Sequence, residues 1–145
     1  MRTLLAAWQF WALLAAVFAA LTAIFAKIGV AAVASDFATL IRTVVILLVV
    51  IALVAVTGQW QPLGTVPART WLFLVLSGVA TGASWLCYFR ALKLGDAARV
   101  APTDKLSVVF VAILGTLLLG ERLSPGAWAG VALIAAGALL VARGG

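Results

Sequence analysis

The chain has 145 residues, of which 66% are hydrophobic and 10% are charged, and its mean hydropathy is +1.26. So few charged residues cannot form the polar surface of a soluble domain, and the composition therefore predicts an integral membrane protein. The net charge is +6, but the basic residues flank apolar runs, which favours contact with anionic lipid headgroups over binding of nucleic acid. With no histidine and one cysteine, Cys87, the chain cannot form a histidine-ligated metal site, a Ser-His-Asp triad or an intrachain disulfide. We therefore expect no enzyme activity, no metal and no cofactor.

The first apolar run carries no charge from Leu4 to Ala26 and is longer than the core of a signal peptide, which has roughly 7–15 residues. It predicts a first spanning helix over residues 8–27 rather than a cleaved signal. Small residues recur along one side of this helix and would allow another helix to approach closely: Ala12, Ala16, Ala19, Ala23 and Ala26. Lys27 ends the run, and its side chain could either reach the lipid interface or project into a cavity.

The second spanning helix is predicted over residues 37–57, with Asp36 as its N-terminal cap. Arg42 lies about a turn and a half further on, where it would be partly desolvated. We expect Arg42 to form an ion pair with an acid on the same side of the membrane, either Asp36, Asp96 or Asp104. Two prolines and two glycines mark residues 58–70 as the longest loop.

The third spanning helix, predicted over residues 71–92, carries the most informative pattern. Four hydroxyl residues recur at i, i+4, i+7 and i+11 and share one face, here called the hydroxyl stripe: Ser77, Thr81, Ser84 and Tyr88. Trp85 borders the stripe, and Gly78 and Gly82 lie just beyond it. Because polar groups are costly in lipid, the stripe should face other helices or a wet cavity. One interpretation is a cavity for an organic or cationic solute, which the aromatic neighbours favour; the other is a packing seam with the glycines.

The fourth spanning helix, predicted over residues 98–119, can begin in two ways. Asp96 could cap a helix that starts at Ala97, so that Pro102 lies inside the helix and kinks it. Alternatively the helix starts at Pro102, with Asp104 in its first turn, where the helix dipole favours an anion. Both interpretations place Lys105 near the membrane interface. The residues alone leave both starts open.

The fifth spanning helix is predicted over residues 125–143, with Ser124 as its cap and Pro125 at its first position. It carries a glycine series typical of helix packing: Gly126, Gly130 and Gly137. Glu121 precedes this helix. We expect its carboxylate to join the two helices, by accepting from N–H groups that open the fifth helix or by pairing with Arg122. Glu121 and Asp104 are the two candidates for a coupling carboxylate.

An odd number of spans puts the termini on opposite sides of the membrane. The distribution of Lys and Arg favours the N-terminus outside and the C-terminus inside. The difference in the number of basic residues between the two sides becomes small when Lys27, Arg42 and Lys105 are assigned to helices. Insertion in both orientations therefore remains an alternative. Five of the six tryptophans fall near the predicted N-terminal side, as an interfacial belt would.

Four features of the second half of the chain recur together in one known family. They are the Y-x-x-A-L pattern of Tyr88 to Leu92, the proline Pro102 that opens the fourth helix, Gly120-Glu121 after it, and Gly130 with Gly137 in the fifth helix. With these features the second half resembles the EamA domain of the drug/metabolite transporter superfamily. The first half is also similar to small bacterial and archaeal members, so the resemblance covers nearly the whole chain.

Typical members of that family have ten helices in two inverted five-helix units. The resemblance implies that this chain is a single all-α unit in the bacterial inner membrane, and that two copies form a homodimer, possibly antiparallel. It also implies that the first, third and fourth helices line a substrate pathway, which here comprises Ser77, Thr81, Ser84, Trp85, Tyr88, Pro102, Thr103 and Ser107. With this resemblance, Pro102 is expected to be the irregular point of the fourth helix. We expect alternating-access transport of small organic metabolites or cations, driven by proton or ion exchange. The alternatives are a non-transporting membrane assembly subunit and a flippase for a lipid-linked carrier.

Overall fold

The computed structural model describes residues 7–144. In this part of the chain the regular structure is helical, with one short 3-10 turn, Leu63–Thr65, in the longest loop. The six α-helices are α1, Trp8–Val30; α2, Ser35–Thr57; α3, Ala68–Leu94; α4, Ala97–Asp104; α5, Ser107–Leu118; and α6, Pro125–Arg143. The predicted all-α fold is confirmed.

Five segments are long and apolar enough to cross a membrane: α1, α2, α3, α6 and the consecutive pair α4 and α5, which together cover Ala97–Leu118. At about 1.5 Å per residue, helices of roughly 20 residues match a hydrocarbon core about 30 Å thick. Most of their large apolar side chains are exposed, as contact with lipid requires. The five predicted spans are therefore confirmed, although α1, α2 and α3 extend a few residues beyond the predicted limits.

The chain divides into two compact units. The first unit comprises residues 7–27 and 94–144 of the described part, and the second comprises residues 28–93. In the first unit, α4 and α5 pack against α6. The buried positions of this unit carry small residues, Ala23, Ala26, Gly115 and Ala138. Those of the second unit are Val30, Ala38, Thr39, Phe89 and Leu92.

The helix ends follow ordinary capping chemistry at two places. Ser124 precedes α6, and its side-chain oxygen accepts a hydrogen bond from the amide of Ala127 at 3.2 Å, which confirms the predicted cap. Gly58 ends α2 with a φ of 65°, a left-handed conformation that glycine adopts without steric cost. The predicted cap at Asp36 is wrong, because α2 begins at Ser35 and its N-cap residue is Ala34. Asp36 lies instead in the first helical turn.

The fourth span is interrupted. Its first helix starts at Ala97, after Asp96, whose backbone carbonyl rather than its side chain accepts the first helical amides. Pro102 therefore lies inside a helix, and a start at Pro102 is wrong. The helix ends two residues later, and the next hydrogen bonds, such as Lys105 N–H to the Pro102 carbonyl at 3.1 Å, run between residues three apart. Such bonds make a tighter turn than an α-helix, and the irregular point expected around Pro102 is present.

Gly120 sets the junction between α5 and α6. Its φ is 69°, and this left-handed residue lets the amides of Leu119 and Glu121 share the Gly115 carbonyl at 3.1 and 3.2 Å. The Glu121 carboxylate turns back towards α5, since a Cβ on Gly115 would lie 2.7 Å from its Oε2 atom. Among the described residues, the carboxylate accepts no hydrogen bond from the amides that open α6, so the expected hydrogen bond between Glu121 and the start of α6 is absent.

Three basic side chains bind carbonyl groups at helix C-termini. Lys27 donates from its Nζ atom to the carbonyl of Gly95 at 2.7 Å, just past α3. Lys93 donates to Val33, shortly after α1, and Arg99 donates to Ala142 in the last turn of α6 at 2.9 Å. Cations are favourable at these helix ends, where carbonyl groups lack partners within the helix. These three side chains therefore bind the helix ends.

We predict that Gly120→Ala lowers the free energy of unfolding by about 1–2 kcal/mol, because a Cβ is strained in the left-handed conformation. Thermal unfolding in detergent, followed by circular dichroism, measures the change. The matched control is Gly64→Ala, at an exposed loop glycine without a positive φ and with no atom near the added Cβ. Equal effects at both positions would contradict the assigned role of Gly120.

We predict that Lys27→Met lowers the free energy of unfolding by about 1–3 kcal/mol, because it removes a charged hydrogen bond to a helix end. The control is Lys105→Met, which removes only an exposed ion pair with Asp104, at 3.6 Å, and should cost less than about 1 kcal/mol. Denaturant titration of both variants in the same detergent makes the comparison. A loss for Lys27→Met no larger than that of the control would show that the bond to Gly95 does not stabilise the fold.

Candidate functional site

The hydroxyl stripe runs along α3 within the second unit. Ser77, Thr81 and Ser84 are exposed, whereas Tyr88 and the adjoining Trp85 are partly buried. The helical spacing keeps these side chains on neighbouring positions of one face. The stripe therefore presents hydroxyl groups outwards along a membrane-spanning helix and becomes more enclosed towards its C-terminal end.

Several threonine hydroxyl groups outside the stripe are hydrogen-bonded within their own helix. Five threonine hydroxyls donate to the carbonyl four residues earlier in their own helix, at 2.7–2.9 Å: Thr39, Thr43, Thr57, Thr103 and Thr116. Within residues 7–144, Ser77, Thr81 and Ser84 make no side-chain hydrogen bond. A hydroxyl without a partner is unfavourable in hydrocarbon, so these three groups need water, a solute or another chain.

Arg42 projects from the second turn of α2 onto the aromatic residues of α3. Its guanidinium carbon lies 4.0 Å from the ring centre of Trp85 and 5.5 Å from that of Phe89. Arg42 is seven residues past Ser35, or about 10 Å along the helix axis. Stacking on aromatic rings lowers the cost of holding a cation there and contributes about 0.5–2 kcal/mol.

Asp36 is bound by Arg90 rather than by Arg42. The Nη2 atom of Arg90 donates to both carboxylate oxygens at 3.3 Å, and Ser35 donates to one of them at 3.1 Å. The side chains of Arg90 and Asp36 are 66% and 59% exposed, so this ion pair adds about 0–1 kcal/mol. Arg42 thus does not make the ion pair expected within this unit, because Asp36 is already engaged and the Trp85 ring occupies the guanidinium face.

The remaining candidate pathway residues lie in the first unit, around the interruption between α4 and α5. Pro102 is partly buried, and Thr103 and Ser107 are exposed. The Thr103 hydroxyl donates to the Arg99 carbonyl at 2.7 Å. Beside them, Asp104 lies next to Lys105 with both side chains well exposed. Of the other charged candidates, Lys27 binds the Gly95 carbonyl and the Glu121 carboxylate lies beside Gly115 of α5, as described above.

The glycines predicted to pack helices have free space beside them in the described chain. A Cβ built on Gly78, Gly82, Gly130 or Gly137 would meet no atom within 4 Å, and one on Gly126 would meet only the Ser124 side chain, at 3.9 Å. None of these positions is a close helix contact among the described residues. Their packing role remains a prediction, and it would require another molecule.

Sequence reasoning singled out both Arg42 and Trp85 but did not pair them. An acidic partner for Arg42 was expected because opposite charges attract, and three acids were available on the same predicted side of the membrane. The aromatic spacing held a signal, since Trp85 and Phe89 are four residues apart and so offer two rings on one face of α3. That signal predicts a platform for a cation, and Arg42 occupies it.

Comparison with known proteins agrees with this architecture. The model of the EamA-like transporter family matches residues 6–143. A protein of Sinorhizobium sp, named "Uncharacterized transporter in cobO 3'region", is 74% identical over 135 residues, which cover 93% of this chain and 96% of that protein. No solved structure matches the chain. With its five apolar spans and a match over almost its whole length, this integral membrane protein belongs to the EamA-like transporter family.

Proposed function

We propose that two copies of this chain form a transporter that moves small organic metabolites or cations by alternating access. The hydroxyl stripe lines the substrate pathway, and the interruption around Pro102 contributes the irregular backbone. The observation that carries the proposal is that Ser77, Thr81 and Ser84 have no partner within the described chain. A water-filled pathway supplies the hydrogen bonds that lipid cannot.

The fourth span supports the same proposal. Pro102 has no N–H group, so the Ala98 carbonyl loses its usual helical partner. Broken helices with free carbonyl groups occur in membranes where the backbone is buried in protein or lines a cavity, and transporters use them at their binding sites. Thr103 and Ser107 would add hydroxyl groups on either side of this interruption.

A second copy is required because a single five-helix unit has too few helices to enclose a pathway. Transporters commonly place the binding site between two inverted repeats, and an antiparallel homodimer of this chain reproduces that symmetry. The open faces at Gly78, Gly82, Gly130 and Gly137 leave room for close approach of the second copy. The small excess of basic residues on one side allows insertion in both orientations, here into the bacterial inner membrane.

One specific observation also favours a non-transporting assembly subunit: the same unpartnered hydroxyl groups could bond to a different membrane protein. Cross-linking of single cysteines, after Cys87→Ser, separates the two functions. Cross-links between copies in an antiparallel pattern support the transporter, whereas cross-links only to another protein support the assembly subunit.

We predict gradient-dependent flux of an organic solute in liposomes that contain the purified protein and carry an imposed pH gradient. Replacing the stripe hydroxyls together (Ser77→Ala, Thr81→Val, Ser84→Ala) should slow this flux roughly tenfold or more, since each lost hydrogen bond costs about 1 kcal/mol. The matched control is Thr57→Val, which removes a hydroxyl that is satisfied within its own helix. Absence of flux across a broad solute panel, or equal flux in the triple variant, would contradict the proposal.

A further inference from the structure

The cation at Arg42 has no ionic partner within its own unit. Residues 28–93 contain one acid, Asp36, and four basic residues: Arg42, Arg69, Arg90 and Lys93. Arg90 binds that acid, and Lys93 donates to the Val33 carbonyl. The structure shows no hydrogen bond from the Arg42 guanidinium to any described residue, only its ring contacts. Its N–H donors are therefore available to a ligand.

The stacking on Trp85 also determines which part of the Arg42 guanidinium a ligand can contact. A guanidinium is planar and carries five N–H donors around its edge. With one face against Trp85, the edge of Arg42 remains for acceptors, and that edge matches two oxygens of a carboxylate or phosphate. Because Arg42 is partly buried in a largely apolar helix, such charged hydrogen bonds are stronger than they would be in water.

The surroundings suit an organic anion. The ring centre of Phe89 lies 5.5 Å from the Arg42 guanidinium carbon, beside the stacked ring of Trp85. Aromatic rings of α3 thus adjoin a cation that lacks a counterion within its own unit. Asp36 does not oppose an anion strongly, since Arg90 already offsets its charge.

We propose that Arg42, supported by Trp85, binds the oxyanion of a ligand, either a carboxylate or a phosphate. The inference rests on the proposed transport function in one respect: it assigns the solute to organic anions rather than to cations. Binding itself does not depend on transport. The same oxyanion chemistry has two sources, a dissolved solute or the headgroup of an anionic lipid, and the experiment separates them.

Isothermal titration of the purified protein in nanodiscs of phosphatidylcholine tests the site, with benzoate as the anionic probe and benzamide as its neutral counterpart. Benzoate should bind at least about tenfold more tightly than benzamide, and Arg42→Gln should remove this difference. Arg42→Lys keeps the charge without the planar edge and should be intermediate. The matched control is Arg69→Gln in the same unit, near Phe73, which should leave benzoate binding unchanged.

Nanodiscs that contain phosphatidylglycerol identify the source. If the site takes a solute, benzoate affinity stays the same in both lipids; if it takes a headgroup, the lipid weakens benzoate binding roughly tenfold in the wild type but not in Arg42→Gln. Both results support an oxyanion site at Arg42. Equal binding of benzoate and benzamide to the wild type, or unchanged benzoate binding in folded Arg42→Gln, would overturn it.

Circular dichroism and gel filtration confirm that each variant is folded. If Arg42→Gln is not folded, Arg42→Lys decides: benzoate affinity equal to the wild type would contradict recognition by the guanidinium edge. A protein that binds benzoate through Arg42 but shows no flux would retain this site while the transport proposal fails. Flux of cations, with no anion binding that depends on Arg42, would support the transport proposal and contradict the anion site.

Discussion

The bilayer offers no water to the backbone or to polar side chains, and this constraint determines which parts of the chain are ordinary and which are not. Five spans satisfy their backbone groups by forming helices. Helical threonines such as Thr39 and Thr116 return their hydroxyl protons to their own helix. At the helix ends, Lys27, Lys93 and Arg99 supply donors to carbonyl groups. Against this background, the polar groups without partners are the informative ones.

Among residues 7–144, the hydroxyl groups of Ser77, Thr81 and Ser84 and the guanidinium of Arg42 form no hydrogen bond. In addition, Pro102 removes the usual helical partner of the Ala98 carbonyl. Each costs free energy if it faces lipid, and each becomes favourable if it faces water, a solute or another chain. A transporter needs such groups along its pathway, whereas a purely structural helix bundle does not. The family membership and these exceptions therefore favour the same function from independent directions.

Much of the fold followed from the sequence because apolar runs, prolines and caps act locally. The number of spans and the cap at Ser124 needed only composition and spacing, whereas the irregularity at Pro102 was expected with the help of the family resemblance. The partner of Arg42 could not be predicted in this way, since the sequence places both an acid and an aromatic ring where the Arg42 side chain could contact them. The partner of Arg42 depends on which face of α2 is turned towards α3 and on the ion pair that already joins Arg90 to Asp36. The turned-back carboxylate of Glu121 likewise depends on the left-handed Gly120 and on the absence of a Cβ at Gly115.

We propose that one short unit provides both halves of a transporter by inserting in two orientations. Labelling of cysteines placed at each terminus, in a Cys87→Ser background and in the same intact cells, tests this claim most directly. A membrane-impermeant reagent should label part of the population at the N-terminus and part at the C-terminus. Labelling of one terminus only, with the other protected in every molecule, would show a single orientation and contradict the antiparallel dimer.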